Sequence, residues 1–251
     1  MGERVLFEQD GHKFVLLEGF GHGEMVPTNQ VLIYDGSEGM LLDPGGHKVH
    51  YDLMDAISAL MPINQLKYLF YSHQDPDIVA AINAWLMLTE ADALISNLWL
   101  RFVPHFGVDE LMISRLKGIP DEGMRFQLGS SELIFVPGHF LHSCGNFQVY
   151  DVKSKILFSG DLGASIGPDY VEVTDFDAHV QYMEGFHRRY MPSGHANRQW
   201  AAMVRELDIE MIVPQHGAIF TTPELCTRFI DWVDGLPGAA ESMAEVYRIP
   251  A

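Results

Sequence analysis

The sequence predicts an α/β (α+β) protein of four layers, αββα, in which two β-sheets pack face to face and helices cover their outer surfaces. Each half of the chain begins with short β-type runs and continues into segments with helical spacing of apolar residues, so this order of elements occurs twice. No linker-like or low-complexity stretch divides the 251 residues. We therefore predict one domain that spans residues 1–251.

The first half of the chain is predicted to contain most of one sheet and two helices. Strands are predicted at Val5–Glu8, Phe14–Glu18, Gln30–Tyr34, Met40–Asp43, Tyr68–Tyr71 and Ala93–Ser96. Helical spacing predicts helices at Tyr51–Met61 and Ile78–Leu88, and a further helix is predicted at Asn97–His105. Turn residues separate the early strands, which indicates an antiparallel meander.

The second half is predicted to repeat this order. Hairpins are predicted from Phe126–Leu128 with Glu132–Val136, and from Phe147–Tyr150 with Ile156–Phe158. The remaining elements are helices at Asp177–Arg189, Asn197–Leu207 and Glu224–Asp234, and a strand at Met211–Val213. These elements supply a second sheet with its own helical layer.

Composition narrows the classes of function. Hydrophobic residues make up 47% and charged residues 20% of the chain, which is typical of a globular protein and excludes whole-chain disorder. Acidic residues outnumber basic ones by 34 to 16, and the resulting net charge of −18 repels phosphate backbones and anionic membranes. We therefore expect neither a nucleic-acid nor a membrane partner.

Several features of the sequence are typical of a cytoplasmic protein. The N-terminus has no basic region followed by an apolar run, and no later apolar stretch is long enough to cross a membrane. Cys144 and Cys226 are too few and too far apart for a disulfide framework, which favours a reducing compartment. We expect a cytoplasmic location.

Four segments combine an apolar run with a His or Asp that directly follows it. They are Ser72–Asp77, Gly138–His142, Gly160-Asp161 and Gln215–Gly217. Imidazole and carboxylate groups together are the ligands that zinc and iron prefer, and loops at strand ends are where such sites usually form. The pattern therefore predicts a metal site at one edge of the sheets.

The first of these segments suggests more than one metal. In extended geometry His73 and Asp75 point to the same side, and the turn at Pro76 brings Asp77 near them. Three candidate ligands within five residues indicate a binuclear site. The alternative is that Asp75 and Asp77 cap the helix that follows, because Asp is a favoured N-cap residue.

These residues resemble the metal-binding signature of the metallo-β-lactamase superfamily, and in particular of its flavodiiron branch. The matching positions are His73, Asp75, Asp77, His142, Asp161 and His216. The segments Leu41–Gly45 and Val213–Gly217 are similar to the family's early aspartate motif and its final histidine motif. The resemblance covers most of the chain and implies the metallo-β-lactamase-like αββα sandwich, with the metals at one edge between the sheets.

The resemblance implies how the ligands divide between two metals. One metal would be held by His73, Asp75, His142 and Asp161, and the other by Asp77, Asp161 and His216, with Asp161 bridging. His142 is preferred to His139 because the family pairs Leu with the ligand His, as Leu141-His142 does here. We expect His139 to be a turn residue or a hydrogen-bond partner of a ligand.

Two departures from the superfamily pattern affect the expected chemistry. Asp75 stands where the hydrolytic members carry His, and a carboxylate there is typical of the di-iron branch. Ile78 stands where the motif's final His would be, so we expect an open position on the second metal. Together these departures favour a di-iron site that binds a small molecule over a zinc hydrolase.

The chain is most similar to the stand-alone oxygen-binding di-iron proteins, because no flavodoxin-like region is visible in Leu236–Ala251. The resemblance implies two iron ions, with zinc as a substitute on recombinant expression, and no FMN. It also implies dioxygen or nitric oxide as the ligand, a signalling or redox protein partner, and a homodimer. The alternatives are an oxygen or nitric oxide reductase with an external electron donor, and a binuclear metallohydrolase of phosphodiesters, thioesters or lactones.

The remaining candidates are expected to be structural. We expect His47 and His50 to be solvated and Cys144 to be a small buried side chain rather than a thiolate ligand. Asp43 either forms a turn or anchors the loop that carries His73, as the resemblance implies. The helix Asp177–Arg189 carries an apolar stripe that we expect to pack in the core, formed by Tyr182, Phe186 and Tyr190.

Overall fold

The computed structural model describes residues 2–21 and 25–250. Within these residues the first sheet contains seven strands in the order in which they follow one another in the chain. They are β1 (Gly2–Gln9), β2 (His12–Phe20), β3 (Thr28–Asp35), β4 (Glu38–Leu42), β5 (Leu66–Phe70), β6 (Asp92–Ser96) and β7 (Leu116–Ile119). Strands β1 to β4 form the predicted antiparallel meander, and β4 to β7 run parallel.

The second sheet has five strands in the described part of the chain. They are β8 (Met124–Leu128), β9 (Ser131–Pro137), β10 (Phe147–Asp151), β11 (Ile156–Gly160) and β12 (Met211–Pro214). Their spatial order is β12-β11-β10-β9-β8, with β12 parallel to β11 and the other neighbours antiparallel. Both predicted hairpins are therefore present.

Helices cover the outer faces of the two sheets. They are α1 (His50–Leu60), α2 (Pro76–Val79), α3 (Ile82–Leu88), α4 (Phe176–Tyr190), α5 (Gly194–Val204), α6 (Pro223–Asp234) and α7 (Ala239–Ser242). Buried residues of α1 and α3 pack with β2, while buried residues of α4, α5 and α6 pack with β10 and β11. None of the helices in residues 2–21 and 25–250 is long and apolar enough to cross a membrane.

Alternation along the strands explains the layers. In β2, Phe14 and Leu16 face the second sheet, and Val15 faces the α1–α3 layer. The same central core contains Phe135 of β9 and Phe158 of β11. Because side chains of a strand point alternately to opposite faces, fully apolar strands can supply two cores at once. The predicted four-layer αββα architecture is confirmed.

Two predicted helices differ from the structure. The Asn97–His105 segment forms turns and a short 3₁₀ segment at Val103–Phe106, because Pro104 has no backbone N–H and its ring would clash inside an α-helix. Its partial burial against the α1–α3 layer accounts for the apolar residues that suggested a helix. The predicted helix Ile78–Leu88 is divided into α2 and α3. Strand β7 was not predicted.

One end of the sandwich collects the ends of several strands. The backbone N–H of Asp43, after β4, donates to Phe70 O (2.8 Å), and that of Gln215, after β12, donates to Gly160 O (2.8 Å). The two sheets are joined there by Phe147 N–H donating to Ser72 O (2.9 Å). Loops that leave these strands therefore start from rigidly connected positions.

Candidate metal centre

The six predicted ligands lie on loops at this end of the sandwich. Three of them, His73, Asp75 and Asp77, follow β5, and His142 lies between β9 and β10. Asp161 directly follows β11, and His216 follows β12. Because β5, β11 and β12 end at the same edge, residues far apart in the sequence converge there.

Four of the six side chains form a compact group. One ligand atom from each of His73, Asp75, His142 and Asp161 lies within 4.8 Å of the others. The Nε2 atom of His142 is 3.0 Å from Asp161 Oδ2 and 3.6 Å from Asp75 Oδ2. The Nε2 atom of His73 is 3.7 Å from the same oxygen of Asp161. This spacing leaves room for one ion between the four groups.

The other two side chains, His216 and Asp77, lie on the side of the second carboxylate oxygen of Asp161. His216 Nε2 lies 3.6 Å from Asp161 Oδ1 and 3.4 Å from Asp77 Oδ2. The two carboxylate oxygens of Asp161 therefore face different groups: Oδ2 faces His73 and His142, and Oδ1 faces His216. A carboxylate in this position can bridge two ions.

Hydrogen bonds on the outer side of the imidazoles fix which nitrogen faces the centre. His216 Nδ1 lies 2.8 Å from Pro27 O and donates to it, which leaves Nε2 as the nitrogen that faces the two carboxylates. His73 Nδ1 lies 2.9 Å from Ser72 Oγ. Partners of this kind orient metal-binding histidines.

Ser72 connects His73 to Asp43. Its Oγ donates to Asp43 Oδ2 (2.7 Å), and its backbone N–H donates to Asp43 Oδ1 (2.7 Å). The expectation that Asp43 anchors the His73 loop is therefore confirmed. Burial raises the pKa of Asp43 to about 7 against the opposing effects of His73 and Ser72. Sequence reasoning missed Ser72, although its place between an apolar strand and His73 was visible.

Unpaired atoms at the centre indicate whether these residues could hold metal ions. His73 Nε2 and Asp161 Oδ1 are buried and, among the described residues, have no hydrogen-bond partner. Buried polar atoms of native proteins are nearly always paired, so such orphan atoms call for an explanation such as an ion. Three imidazoles and three carboxylates form a donor set suited to transition metals, and the residues fit two such ions.

The charges of the centre are strongly coupled. Burial would lower the pKa of His73, but Asp161, Asp75 and Asp43 raise it to about 9. Burial would raise the pKa of Asp161, yet the adjacent His73, His142 and His216 hold it well below its usual range. Without metal, protons on His73 and His216 therefore balance part of the carboxylate charge, and metal binding must release them.

A cavity of about 820 Å³ opens onto the centre. Phe186 and Tyr190 of α4 line it, and their rings lie edge-on to the His142 ring at centroid distances of 6.0 and 5.6 Å. The expectation that this stripe only packs in the core is wrong for these two residues. Tyr182 instead packs against Tyr170, at 6.2 Å. Spacing alone could not tell which side of α4 meets the metal end.

Several other expectations are corrected. His50 is only 3% exposed and packs on Trp85, because α1 turns it inward, whereas His47 is exposed as expected. Cys144 is exposed rather than buried, because it lies in the surface loop after His142. The open metal position expected from Ile78 stays a prediction; the Ile78 side chain itself is fully buried in the α1–α3 core and is not among the described residues of the cavity wall.

The helix-capping alternative for the first segment is not supported. Asp75 occupies the N-cap position of α2, but in the part of the chain that the structure describes its side chain makes no capping hydrogen bond. Its Oδ1 accepts instead from Gln74 Nε2 (3.0 Å). His139 is separate from the centre: its Nε2 lies 2.7 Å from Asp121 O, and its ring packs on Phe147.

Comparison with known proteins identifies a family. The protein-family model described as "ODP family beta lactamase" matches residues 26–217 of this chain. The structure described as the peroxy diiron species of chemotaxis sensor ODP is 41% identical, with a TM-score of 0.89, over 98% of this chain and 100% of that one. The apo state of chemotaxis sensor ODP from T. denticola is 40% identical, with a TM-score of 0.88, over 98% and 99% of the two chains.

More distant relatives are similar in structure or in sequence. A mutant flavo di-iron protein of Thermotoga maritima superposes with a TM-score of 0.78 at 17% identity, over 93% of this chain and 60% of that one. An uncharacterized protein of Methanocaldococcus jannaschii is 24% identical over 226 residues, which are 85% of this chain and 55% of the relative. The chain spans about half the length of the curated relatives that it matches.

Proposed function

The chain belongs to the ODP family of β-lactamase-fold proteins, and from this premise we propose that it is a non-haem di-iron protein that binds dioxygen and works as a sensor with a signalling partner. The observation that carries the proposal is the Asp161 carboxylate, whose two oxygens face two separate sets of side chains. The likeness to chemotaxis sensor ODP over nearly the whole chain supports the choice of ligand and role.

The proposed ligands divide into two sets that share Asp161. One iron would be held by His73, Asp75, His142 and Asp161, and the other by Asp77, Asp161 and His216. Three carboxylates among six ligands favour iron over a structural zinc, which prefers sulfur and imidazole. A pair of ferrous ions supplies the electrons that binding of dioxygen requires.

The chain's own residues keep the centre ordered and give it an apolar approach. Pro27 O and Ser72 hold the rings of His216 and His73, so little reorientation is needed when metal or gas binds. The rings of Phe186 and Tyr190 cover His142 on the cavity side. Apolar walls of this kind favour the approach of a small uncharged gas.

Further parts of the proposal concern the whole protein. We propose one domain over residues 1–251, supported by the central core to which both sheets contribute, and a homodimer as implied by the family resemblance. Cys144 and Cys226 are free thiols, which supports a cytoplasmic location. Nitric oxide is a second candidate gas, because it has the same size and the same demand for an open metal position. We expect no FMN.

The test is an oxygen titration of anaerobically purified protein. We expect about two irons per chain by elemental analysis and a visible absorption band that appears with oxygen and disappears on deoxygenation. Zinc-substituted protein is the control and should stay colourless, because zinc has no redox chemistry. Asp77→Ala should abolish the band, since it removes a ligand that approaches only the second position.

Three outcomes would redirect the assignment. No band with two irons bound would contradict oxygen binding. Irreversible oxidation with steady turnover under an added electron donor would identify an oxygen or nitric oxide reductase. Zinc alone after growth in iron-rich medium would favour the metallohydrolase alternative, in which metal-bound hydroxide attacks the substrate.

A further inference from the structure

The cavity above the centre is far larger than a diatomic gas requires. Its volume is about 820 Å³, whereas one water molecule occupies about 30 Å³ of liquid. Cavities of about 300–1,000 Å³ with mostly apolar walls are typical of sites for organic ligands. The walls here include Met25, Val26, Ile166 and Phe186. Gas binding alone therefore leaves most of this space without a role.

Two cations contribute to the same cavity. Lys48 lies two residues after Gly46, whose backbone is next to Pro76 and Asp77. Arg189 lies on α4, between Phe186 and Tyr190 in the sequence. Both are exposed, and among residues 2–21 and 25–250 neither forms an ion pair or a side-chain hydrogen bond. Other basic side chains of the described residues also lack ion pairs. These two are the Lys and Arg residues of the cavity wall, which also includes the candidate ligands Asp75, Asp77 and Asp161.

A glycine within α4 enlarges the cavity. Gly185 lines it, and a Cβ built at this position would meet no described atom within 4 Å. Glycine inside a helix destabilises it relative to alanine, and here no close neighbour in the described chain requires the absence of a side chain. The residue does keep the cavity wall open beside Phe186 and Arg189.

We propose that this cavity binds an organic anion with an apolar body, such as a medium-chain carboxylate or phosphate ester. The head group would pair with Arg189 and Lys48 at the cavity rim, and the chain would lie against Met25, Ile166 and Phe186. Arginine binds carboxylates and phosphates through two parallel hydrogen bonds, which suits it to this role. A bound anion would cover the metal centre and limit access of gas.

The test measures binding of decanoate, decyl phosphate, decanol and acetate by calorimetry. Each probe is titrated into diferrous protein under argon and into zinc-loaded protein, so that the result does not depend on oxygen chemistry. We expect decanoate or decyl phosphate to bind about tenfold more tightly than decanol, because a charged hydrogen-bonded head group adds to the same apolar burial. The tighter of the two anions identifies the head group.

Matched variants locate the head group. Arg189→Gln should lower anion affinity about tenfold and leave decanol binding unchanged. Arg188→Gln is the control, because it makes the same charge change on the same helix, where Arg188 pairs with Glu184 (2.7 Å). Equal anion affinity in Arg189→Gln and Arg188→Gln would overturn the proposal. Competition by acetate as strong as that by decanoate would also overturn it, because that result would place the head group on the metals.

Gly185→Leu tests the apolar part of the site. The substitution should raise the melting temperature by strengthening α4, while it fills the cavity and weakens both decanoate and decanol more than tenfold. Because the variant gains stability, lost binding cannot be attributed to unfolding. Unchanged decanoate binding in Gly185→Leu would overturn the proposal. Reversible oxygen binding without any anion binding would also overturn it and leave the proposed function intact.

Discussion

The two ends of the β-sandwich both contain histidine and aspartate side chains, but the partners of these side chains differ. At the metal end, histidines and aspartates follow β5, β11 and β12. At the opposite end, His12 starts β2, Asp35 ends β3 and Asp151 ends β10, and all three are buried. Both ends therefore carry buried imidazoles and carboxylates, and only their partners differ.

The opposite end is closed by hydrogen bonds within the chain. His12 Nε2 lies 2.7 Å from Asp151 Oδ2, which also accepts from Ser154 Oγ. Asp35 Oδ2 accepts from both the backbone N–H and the Oγ of Ser130 (2.7 Å each). Each carboxylate thus accepts hydrogen bonds from groups of the chain itself. Nδ1 of His12, however, has no partner among the described residues.

At the metal end, the outer imidazole nitrogens are hydrogen-bonded away from the centre, and the inner nitrogens and the carboxylate oxygens face it. The His216 Nδ1–H donates outward to Pro27 O, while His73 Nε2 and Asp161 Oδ1 remain buried without a described partner. The difference teaches that buried His and Asp residues do not by themselves indicate a metal site. Unsatisfied ligand atoms that converge on one point do.

The largest expected effect separates the two ends by metal content. Asp161→Ala removes the carboxylate that both sets share, so we expect the iron content to fall from about two per chain to nearly zero. Asp151→Ala is the matched change at the opposite end and should retain the metals. Elemental analysis of both variants after anaerobic purification measures this. Equal metal loss in the two variants would contradict the distinction between the ends.

The second expected effect is on the stability of the opposite end. Asp151→Ala leaves His12 and Ser154 without their shared acceptor inside the protein. Removing one partner of a buried pair leaves the others desolvated and unpaired, so we expect a loss of about 3 kcal/mol of unfolding free energy. Denaturant unfolding of the metal-free variant, compared with metal-free wild type, measures it. A loss below about 0.5 kcal/mol would indicate that this network is not structurally important.

The third expected effect is absent at neutral pH and grows only on acidification, and it concerns a histidine at the metal end that is not a candidate ligand. His187 donates from Nδ1 to Met183 O (2.8 Å) and accepts at Nε2 from the backbone N–H of Gly163 (2.9 Å). Burial lowers its pKa to about 4, whereas an unfolded histidine titrates near pH 6.5. The unfolded chain therefore binds more protons in this window, and stability falls as the pH drops from about 6.5 to 4, by up to about 3 kcal/mol.

His187→Gln should remove that part of the pH dependence. The exposed His195 provides the control, and His195→Gln should follow wild type at every pH. Denaturant unfolding of the metal-free proteins at several pH values between 7 and 4.5 measures the difference. A slope in His187→Gln equal to that of wild type would show that His187 binds protons equally in the folded and unfolded states.

How much could be predicted differs between the sheets and the segments that connect them. The strands of the meander were predictable because their apolar residues and turns are local signals, as at β2 and β3. The Asn97–His105 segment and β7 were not, since the first is irregular around Pro104 and the second is stabilised by pairing with β6. Pro104 was a local signal against the helix, whereas β7 was decided by a tertiary contact that local propensity does not report.

The sequence by itself determined the residue types of the candidate centre, the segments that carry them and the family resemblance, because each His or Asp directly follows an apolar run. The tertiary structure decided which atoms face one another. Only the meeting of β5, β11 and β12 at one edge brings Asp161 between His142 and His216. The tertiary structure also decided that Phe186 and Tyr190 form part of the cavity wall and that His50 points inward. A helical stripe shows that one face is apolar, and only packing selects what that face meets.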